Sequence, residues 1–290
     1  MPLSRSAVGL TTSTHTHHAD ARWTMAYAAA INDNAEQYMD TSRAGGVVAH
    51  PMFVICPEWP VALESRAQLA AAGLSEDEAN RGVHAAHDCH IHRLVNAGET
   101  LTTRATVIDI REHRAGASVI TRFDNCGALD EPVATTYSTQ IYRDVALSDD
   151  GDVLSDAFPA FPRNPKDTAD LSVSPLAIPW NLAHTYTECG RIFNPIHTDQ
   201  AFAQAAGLPE IILHGSATLA LAVSAVVAHT RQPAKSVTRI SARFRGMVTM
   251  PNTLSLRLST VSAGEKITAF SIDDESGDCM LSDGQVAFGD

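Results

Sequence analysis

The sequence predicts an α+β fold in which a curved antiparallel sheet wraps a buried helix, once in each half of the chain. Three observations lead there. Ser216–Thr230 carries Leu219, Leu221, Val223, Val226 and Val227 among alanines, so it is apolar nearly all round, the mark of a buried helix. Thr103–Ile110 and Thr135–Tyr142 alternate apolar and polar residues, the period of strands with one buried face. Two blocks also repeat one order of parts: an Ala-rich helical segment, a turn bearing a histidine, a further helix, then alternating strands. Landmarks recur at similar spacing, Tyr38 to His197 being 159 residues, His50 to His214 164, and Leu101 to Leu254 153. Such self-similarity points to internal duplication.

Residues 1–21 are Ser/Thr-rich and read as a flexible lead, with "HTHHAD" at His15–Asp20 solvated. The first block, 22–145, opens on the helical "WTMAYAAAINDNAEQYMD", turns at "GGVVAHPMF" and continues through strands such as "ASVITRFDN" and "PVATTYSTQIYRD". Residues 146–174 are rich in Asp, Pro and Ser with little periodicity and read as a linker. The second block, 175–290, repeats the order from "NLAHTYTECGRIFNPIHTDQAFAQAAG" through "EIILHGSATLALAVSAVVAHT" to "SVTRISARFRGMVTMPNTLSLRLSTVSAG".

A net charge of -12 over 290 residues, with no Lys/Arg run, argues against a nucleic-acid partner, which needs a basic face. The five cysteines, Cys56, Cys89, Cys126, Cys189 and Cys279, are scattered, and none is spaced as CxxC. A reducing compartment is the simpler reading, with neither a disulfide framework nor a zinc knuckle. His84, His87, His90 and His92 lie on or beside a strand, alternation putting His90 and His92 on one face; without an acidic or cysteine ligand to complete a set, no metal is expected there. No apolar run reaches membrane-span length and Met1–Thr14 lacks the pattern of a secretory signal, so a cytoplasmic location is expected.

The segment "NPIHTDQAFAQAAGLPEIILHG" resembles the hydratase 2 motif of the MaoC-like dehydratases and (R)-specific enoyl-CoA hydratases. Asn194, Pro195, His197, Asp199, Phe202, Ala203, Ala206, Gly207, His214 and Gly215 match it. "AGETL" at Ala97–Leu101 and "PNTL" at Pro251–Leu254 resemble the family's turn before its third strand, and the first block resembles the degenerate N-terminal repeat of two-repeat members. The resemblance implies a double hotdog fold, hydration or dehydration at a CoA-linked or carrier-linked acyl thioester, no cofactor, and a homodimer of such chains as the candidate assembly. The motif's usual aspartate, two residues before the asparagine, is Ile192 here, and the glycine before it is Arg191. In the first block the aspartate is present as Asp33, but Ala35, Glu36 and Tyr38 replace the asparagine, proline and histidine.

Hydration of an enoyl thioester needs a group to take a proton from water, one to protonate the α-carbon, and donors for the thioester oxygen. His197 can fill one proton-transfer role, since imidazole titrates near neutrality. The amide of Gly215, at the start of the buried helix, suits the oxygen, which is the role the family assigns to its HG position; a plain turn glycine is the other reading. Asn194, held extended before Pro195, can orient His197 or the water, or simply make a turn. Asp199 is read as a helix cap at the edge of the substrate site, and His214 as fixing the turn there. Glu188, four residues before Ile192, is the nearest substitute carboxylate, although a solvated glutamate is the preferred reading. Arg243 and Arg245 in "RFRG" share a strand face where they can meet a phosphate or pantetheine carrier, or serve solubility.

The function expected from all this is a MaoC-like hydro-lyase with an altered catalytic pair, the N-terminal half helping to enclose the acyl chain in a mostly apolar tunnel. Ile192 keeps two alternatives open: a different single-histidine reaction in the same pocket (isomerisation, thioester or lactone cleavage, cyclisation), or a noncatalytic acyl-binding subunit.

Overall fold

The computed structural model of the chain describes residues 2–148, 158–165, 169–261 and 266–289. In the first repeat these form β1 (His15–Ala19), α1 (Ala21–Ala30), α2 (Glu36–Met39), α3 (Ile55–Ala71), α4 (Glu76–Asn80), β2 (Gly82–Ile91), β3 (Glu99–His113), β4 (Gly116–Cys126) and β5 (Pro132–Arg143). The second contains β6 (Ala169–Ile178), α5 (Leu182–Gly190), α6 (Gln200–Ala205), α7 (Gly215–Thr230), β7 (Val237–Phe244), β8 (Asn252–Thr260), β9 (Ile267–Asp273) and β10 (Cys279–Phe288). The strands make one antiparallel sheet in the order β1-β3-β4-β5-β2-β7-β10-β9-β8-β6, two copies of one five-strand pattern meeting at β2 and β7.

Each half of the sheet carries one long helix: α7 packs on β7 and β10, and α3 on β3 and β1. The apolar sequence of α7 is explained by its place, because Leu219, Ala220, Ala222, Val223 and Val226 have no solvent exposure. The inner face of α3 is different in kind. Glu58, Val61, Ser65 and Leu69 are all buried on it, at the three- and four-residue spacing that brings side chains onto one stripe of a helix. Two of those four are polar.

The duplication is also visible in a contact. Tyr27 on α1 and Tyr186 on α5, 159 residues apart, meet hydroxyl to hydroxyl at 3.1 Å, with ring centroids 5.5 Å apart, both fully buried. Their spacing is that of Tyr38 and His197, so equivalent residues of the two repeats face one another where the repeats join.

Two sequence boundaries need correction. Residues 15–19, read as part of a flexible lead, form β1, paired with Glu99–Thr103 of β3; His15 Nε2 also contacts Glu64 Oε2 of α3 at 2.8 Å. Farther upstream Leu3 is fully buried, and its amide donates to the Ala146 carbonyl. An edge strand of alternating exposure with histidines on its face lacks the apolar run that signals a strand. Of the linker 146–174, residues 149–157 and 166–168 lie outside the described residues, whereas Ala169–Ser174 begin β6, the counterpart of β1. Among the described residues no helix is long and apolar enough to cross a membrane.

Shortening a fully buried side chain of α7 removes apolar burial and leaves a cavity. Leu219→Ala is expected to cost about 2–5 kcal/mol of folding stability, measured as a lowered urea midpoint at unchanged slope.

Candidate active site

The chain between α5 and α7 positions the motif residues. After α5 it reverses at Arg191, a left-handed residue (φ 58°) whose guanidinium lies 4.1 Å from the Trp23 ring centroid. A side chain in that conformation is sterically disfavoured, so the cation–π contact offsets part of the cost of departing from glycine. Ile192 then turns inward and is buried, and Asn194 caps a short 3-10 turn over Pro195–His197, its side-chain oxygen accepting from the Ile196 amide.

This turn presents His197. Its Nδ1 donates to the Ile212 carbonyl at 2.8 Å, since a carbonyl can only accept, which leaves Nε2 as the lone-pair nitrogen. The ring stacks on His214 with centroids 3.6 Å apart. Burial lowers the His197 pKa to about 4; the bond to Ile212 opposes this and the charge of Arg66 adds to it. His214 is likewise held well below the usual range by burial and by its neighbour. Both rings are therefore neutral at pH 7. His214 is tied to α5 through Thr187 Oγ1 at 3.2 Å from its Nε2.

Gly215 is the first residue of α7, so its amide precedes the intrahelical hydrogen bonds and points out with the positive end of the helix dipole. A side chain here is also sterically excluded, because an added Cβ would lie 2.9 Å from Cδ1 of Phe244. Ile192, Asn194, His197, His214, Gly215, Arg243 and Arg245 all line one cavity of about 740 Å³ that runs between the two repeats. Arg243 and Arg245 both approach Asp283 Oδ2, at 3.3 and 4.0 Å, and Arg243 also lies 4.2 Å from the Phe161 ring.

Two of the candidate residues fall elsewhere. Asp199 is exposed and not part of the cavity wall; its carboxylate accepts from the Ala201 and Phe202 amides as the cap of α6, which corrects its placement at the substrate site. Glu188 is exposed on α5, also away from the wall.

Sequence reasoning missed the other side of the cavity. It is walled by the first repeat, with Glu58, Ser65 and Arg66 of α3, His84 and His87 of β2, and Thr121 and Ser138. A tunnel expected to be mostly apolar is polar along this stretch, and strict alternation hid the reason. A bulge between His84 and Ala86 shifts the register of β2, bringing His84 and His87 together at 5.7 Å between ring centroids. Glu58, Ser65, Val61 and Leu69 share helical spacing, a signal the prolines of "ICPEWPVALES" obscured.

The counterpart site in the first repeat is sealed. Tyr38 stands where His197 stands in the second repeat and is buried. His50 accepts from the Met52 amide at Nδ1 and donates from Nε2 to Ser224 at 3.1 Å, with Asp33 3.9 Å away. Where the second repeat has Gly215, the first has Pro51, which has no amide hydrogen.

With this geometry in view, a family profile described as "MaoC like domain" matches residues 169–275, and one described as "FAS1-like, dehydratase domain region" matches residues 6–136. The second repeat belongs to the MaoC-like dehydratase family. The chain is 37% identical over 95 residues to the enoyl-CoA hydratase ChsH3 of Mycobacterium tuberculosis, a match spanning 32% of each chain. To 3-hydroxyacyl-thioester dehydratase Y of the same organism it is 28% identical over 215 residues, 71% of this chain and 72% of the relative. In fold, it is similar to a MaoC-like dehydratase from Phytophthora capsici (TM-score 0.80, 19% identity, 98% and 97% of the two chains). It also resembles a double-hotdog protein of Mycobacterium tuberculosis (TM-score 0.62, 15% identity, 96% and 94%). The α+β double hotdog is thus the architecture of the chain.

Burial makes the stability of the molecule pH-dependent in a stated direction. His50 and His84 are lowered to about 3, His87 and His197 to about 4, each chiefly by burial. A histidine with a depressed folded pKa takes up a proton on unfolding, so its contribution is complete above about 6.5 and lost as pH falls toward the folded value, by up to about 1.4 kcal/mol per unit. Glu58 has the opposite sign, because burial raises it to about 8, so its contribution is complete below its unfolded value and lost as pH rises through the folded one. Urea unfolding is expected to show lower stability at pH 5 than at pH 7, with part of that difference removed in His50→Gln.

Proposed function

We propose that the chain is a hydro-lyase that adds water to, and removes it from, an acyl thioester, with His197 as its proton shuttle. The observation that carries this reading is the committed tautomer of His197: with Nδ1 held by Ile212, Nε2 is a proton acceptor inside the cavity that Gly215 also lines. In the hydration direction Nε2 takes a proton from water as its oxygen bonds to the β-carbon. The electron pair moves to the thioester oxygen, stabilised by the Gly215 amide, a type of contact worth about 10²–10³ in rate. The imidazolium then returns a proton to the α-carbon and restores the neutral ring. Asn194 orients the imidazole or the water, Ile192 and His214 shape the pocket, and Arg243 and Arg245 meet the anionic carrier of the substrate. The names of the relatives, an enoyl-CoA hydratase and a 3-hydroxyacyl-thioester dehydratase, support acyl thioesters as the substrate class.

Ile192 favours a second reading. With no carboxylate at that position, a reaction that moves one proton between two carbons, such as shift of an enoyl double bond, needs only the base that is present.

Turnover of 2-enoyl-CoAs by the native protein, reduced about 10²–10⁴-fold in kcat by His197→Ala, is the expected result for the hydro-lyase. Activity confined to double-bond migration supports the second reading, and thioester binding without any turnover removes both. Ile192→Asp supplies the second proton-transfer group and is expected to raise hydration; an unchanged or lower rate in folded protein overturns the assignment of that position.

A further inference from the structure

The cavity wall contributed by the first repeat has a chemistry that hydration at the thioester does not use. Glu58 on α3 is 3% exposed, and its Oε1 accepts from both Asn125 Nδ2 at 2.8 Å and Thr136 Oγ1 at 2.6 Å. Two donors on one oxygen leave Oε2 to carry the proton of the neutral acid, and burial favours that neutral form. His87 on β2 is 1% exposed, and its Nε2 has no hydrogen-bond partner among the described residues. A buried polar atom left unpaired costs about 1–3 kcal/mol, so a retained one calls for an explanation. His84 contacts Ser138 Oγ at 3.1 Å and packs edge-on against His87.

This cluster lies along the cavity from the reacting end. Phe244 links the two: it packs against Gly215, and its ring centroid is 4.5 Å from that of His84. An acyl chain whose thioester oxygen meets the Gly215 amide would extend past Phe244 to Glu58 and His87. A plain hydrocarbon there would bury an O–H donor and an imidazole nitrogen without partners. A hydroxyl or keto oxygen would accept from Glu58, and a hydroxyl would also donate to His87.

We propose that Glu58 and His87 form a subsite for a neutral oxygen function, a hydroxyl or ketone, carried on the acyl chain at a distance from the thioester. The proposal rests on the acyl-thioester reading above and narrows its substrate class to oxygenated acyl chains. The mode of discrimination is asymmetric, because a site built around hydrogen-bonding groups rejects the analogue that lacks the oxygen more strongly than an apolar pocket rejects an added one.

The test is equilibrium binding, which does not depend on turnover. Native protein is titrated with a saturated medium-chain acyl-CoA and with analogues bearing one hydroxyl or one keto group walked along the chain. At least one oxygenated analogue is expected to bind about tenfold or more tightly than the unsubstituted chain. That preference should fall to within about twofold in His87→Phe and in Glu58→Met, and persist in Glu58→Gln, whose amide reproduces the neutral acid's acceptor and donor. Retention by Glu58→Gln separates recognition from a folding defect, and circular dichroism on each variant verifies the fold. Equal or better binding of the unsubstituted chain by native protein overturns the proposal, as does a preference that survives His87→Phe. Selective binding without hydration sinks the hydro-lyase reading and leaves the subsite standing; no binding of any thioester removes both.

Discussion

The pairing of β2 with β7 is the constraint on which the rest of the molecule depends. Those two strands join two five-strand sheets edge to edge, with Ala86 opposite Arg243 and His90 opposite Arg239. A bidentate ion pair fixes the register there, Arg239 Nε and Nη2 donating to the two oxygens of the buried Asp88 at 2.8 and 2.7 Å. Such paired, charge-assisted bonds carry geometric specificity as well as energy. Because the seam aligns the repeats, α3 and α7 come to flank a shared cavity, Phe244 at the end of β7 reaches both His84 and Gly215, and the two tyrosines meet. A one-residue slip would exchange the faces of β7 and dismantle each of these contacts.

Much of the fold was legible because its signals are periodic. The apolar helix α7 and the alternating strands β3 and β5 follow from burial alone, and repetition of the landmarks disclosed the duplication. The edge strands were not legible. Residues 15–19 are stabilised by pairing with β3 and by His15 meeting Glu64, interactions between segments far apart in sequence that leave no local pattern. Similarly, Ser172 to Ala177 alternate only between partly buried and exposed positions, so the start of β6 reads as an extension of the Pro- and Ser-rich linker.

At the site, the residues of one contiguous motif were readable, and those arriving from the other repeat were not. His197, Asn194, His214 and Gly215 lie within a stretch of sequence whose spacing is set by one turn and one helix start. Glu58, Arg66, His84 and His87 come from a helix and a bulged strand more than a hundred residues earlier, and only the seam brings them to the same cavity. The bulge in β2 is the decisive local event, since it breaks the period that a sequence argument relies on. Asp199 illustrates the converse: it belongs to the motif by position, yet its two amide contacts commit it to starting α6.

The two repeats have diverged in opposite directions from a common plan. In the second, His197 and Gly215 line the cavity; in the first, the buried Tyr38 and Pro51 occupy the equivalent place, and α3 has a polar inner face. Pro51 makes this divergence hard to reverse by side-chain change alone, because what is missing is a backbone hydrogen. On the proposed reading the polypeptide therefore holds one reaction centre, in the second repeat, while the first repeat serves as the measuring half of the molecule, judging cargo that its twin transforms.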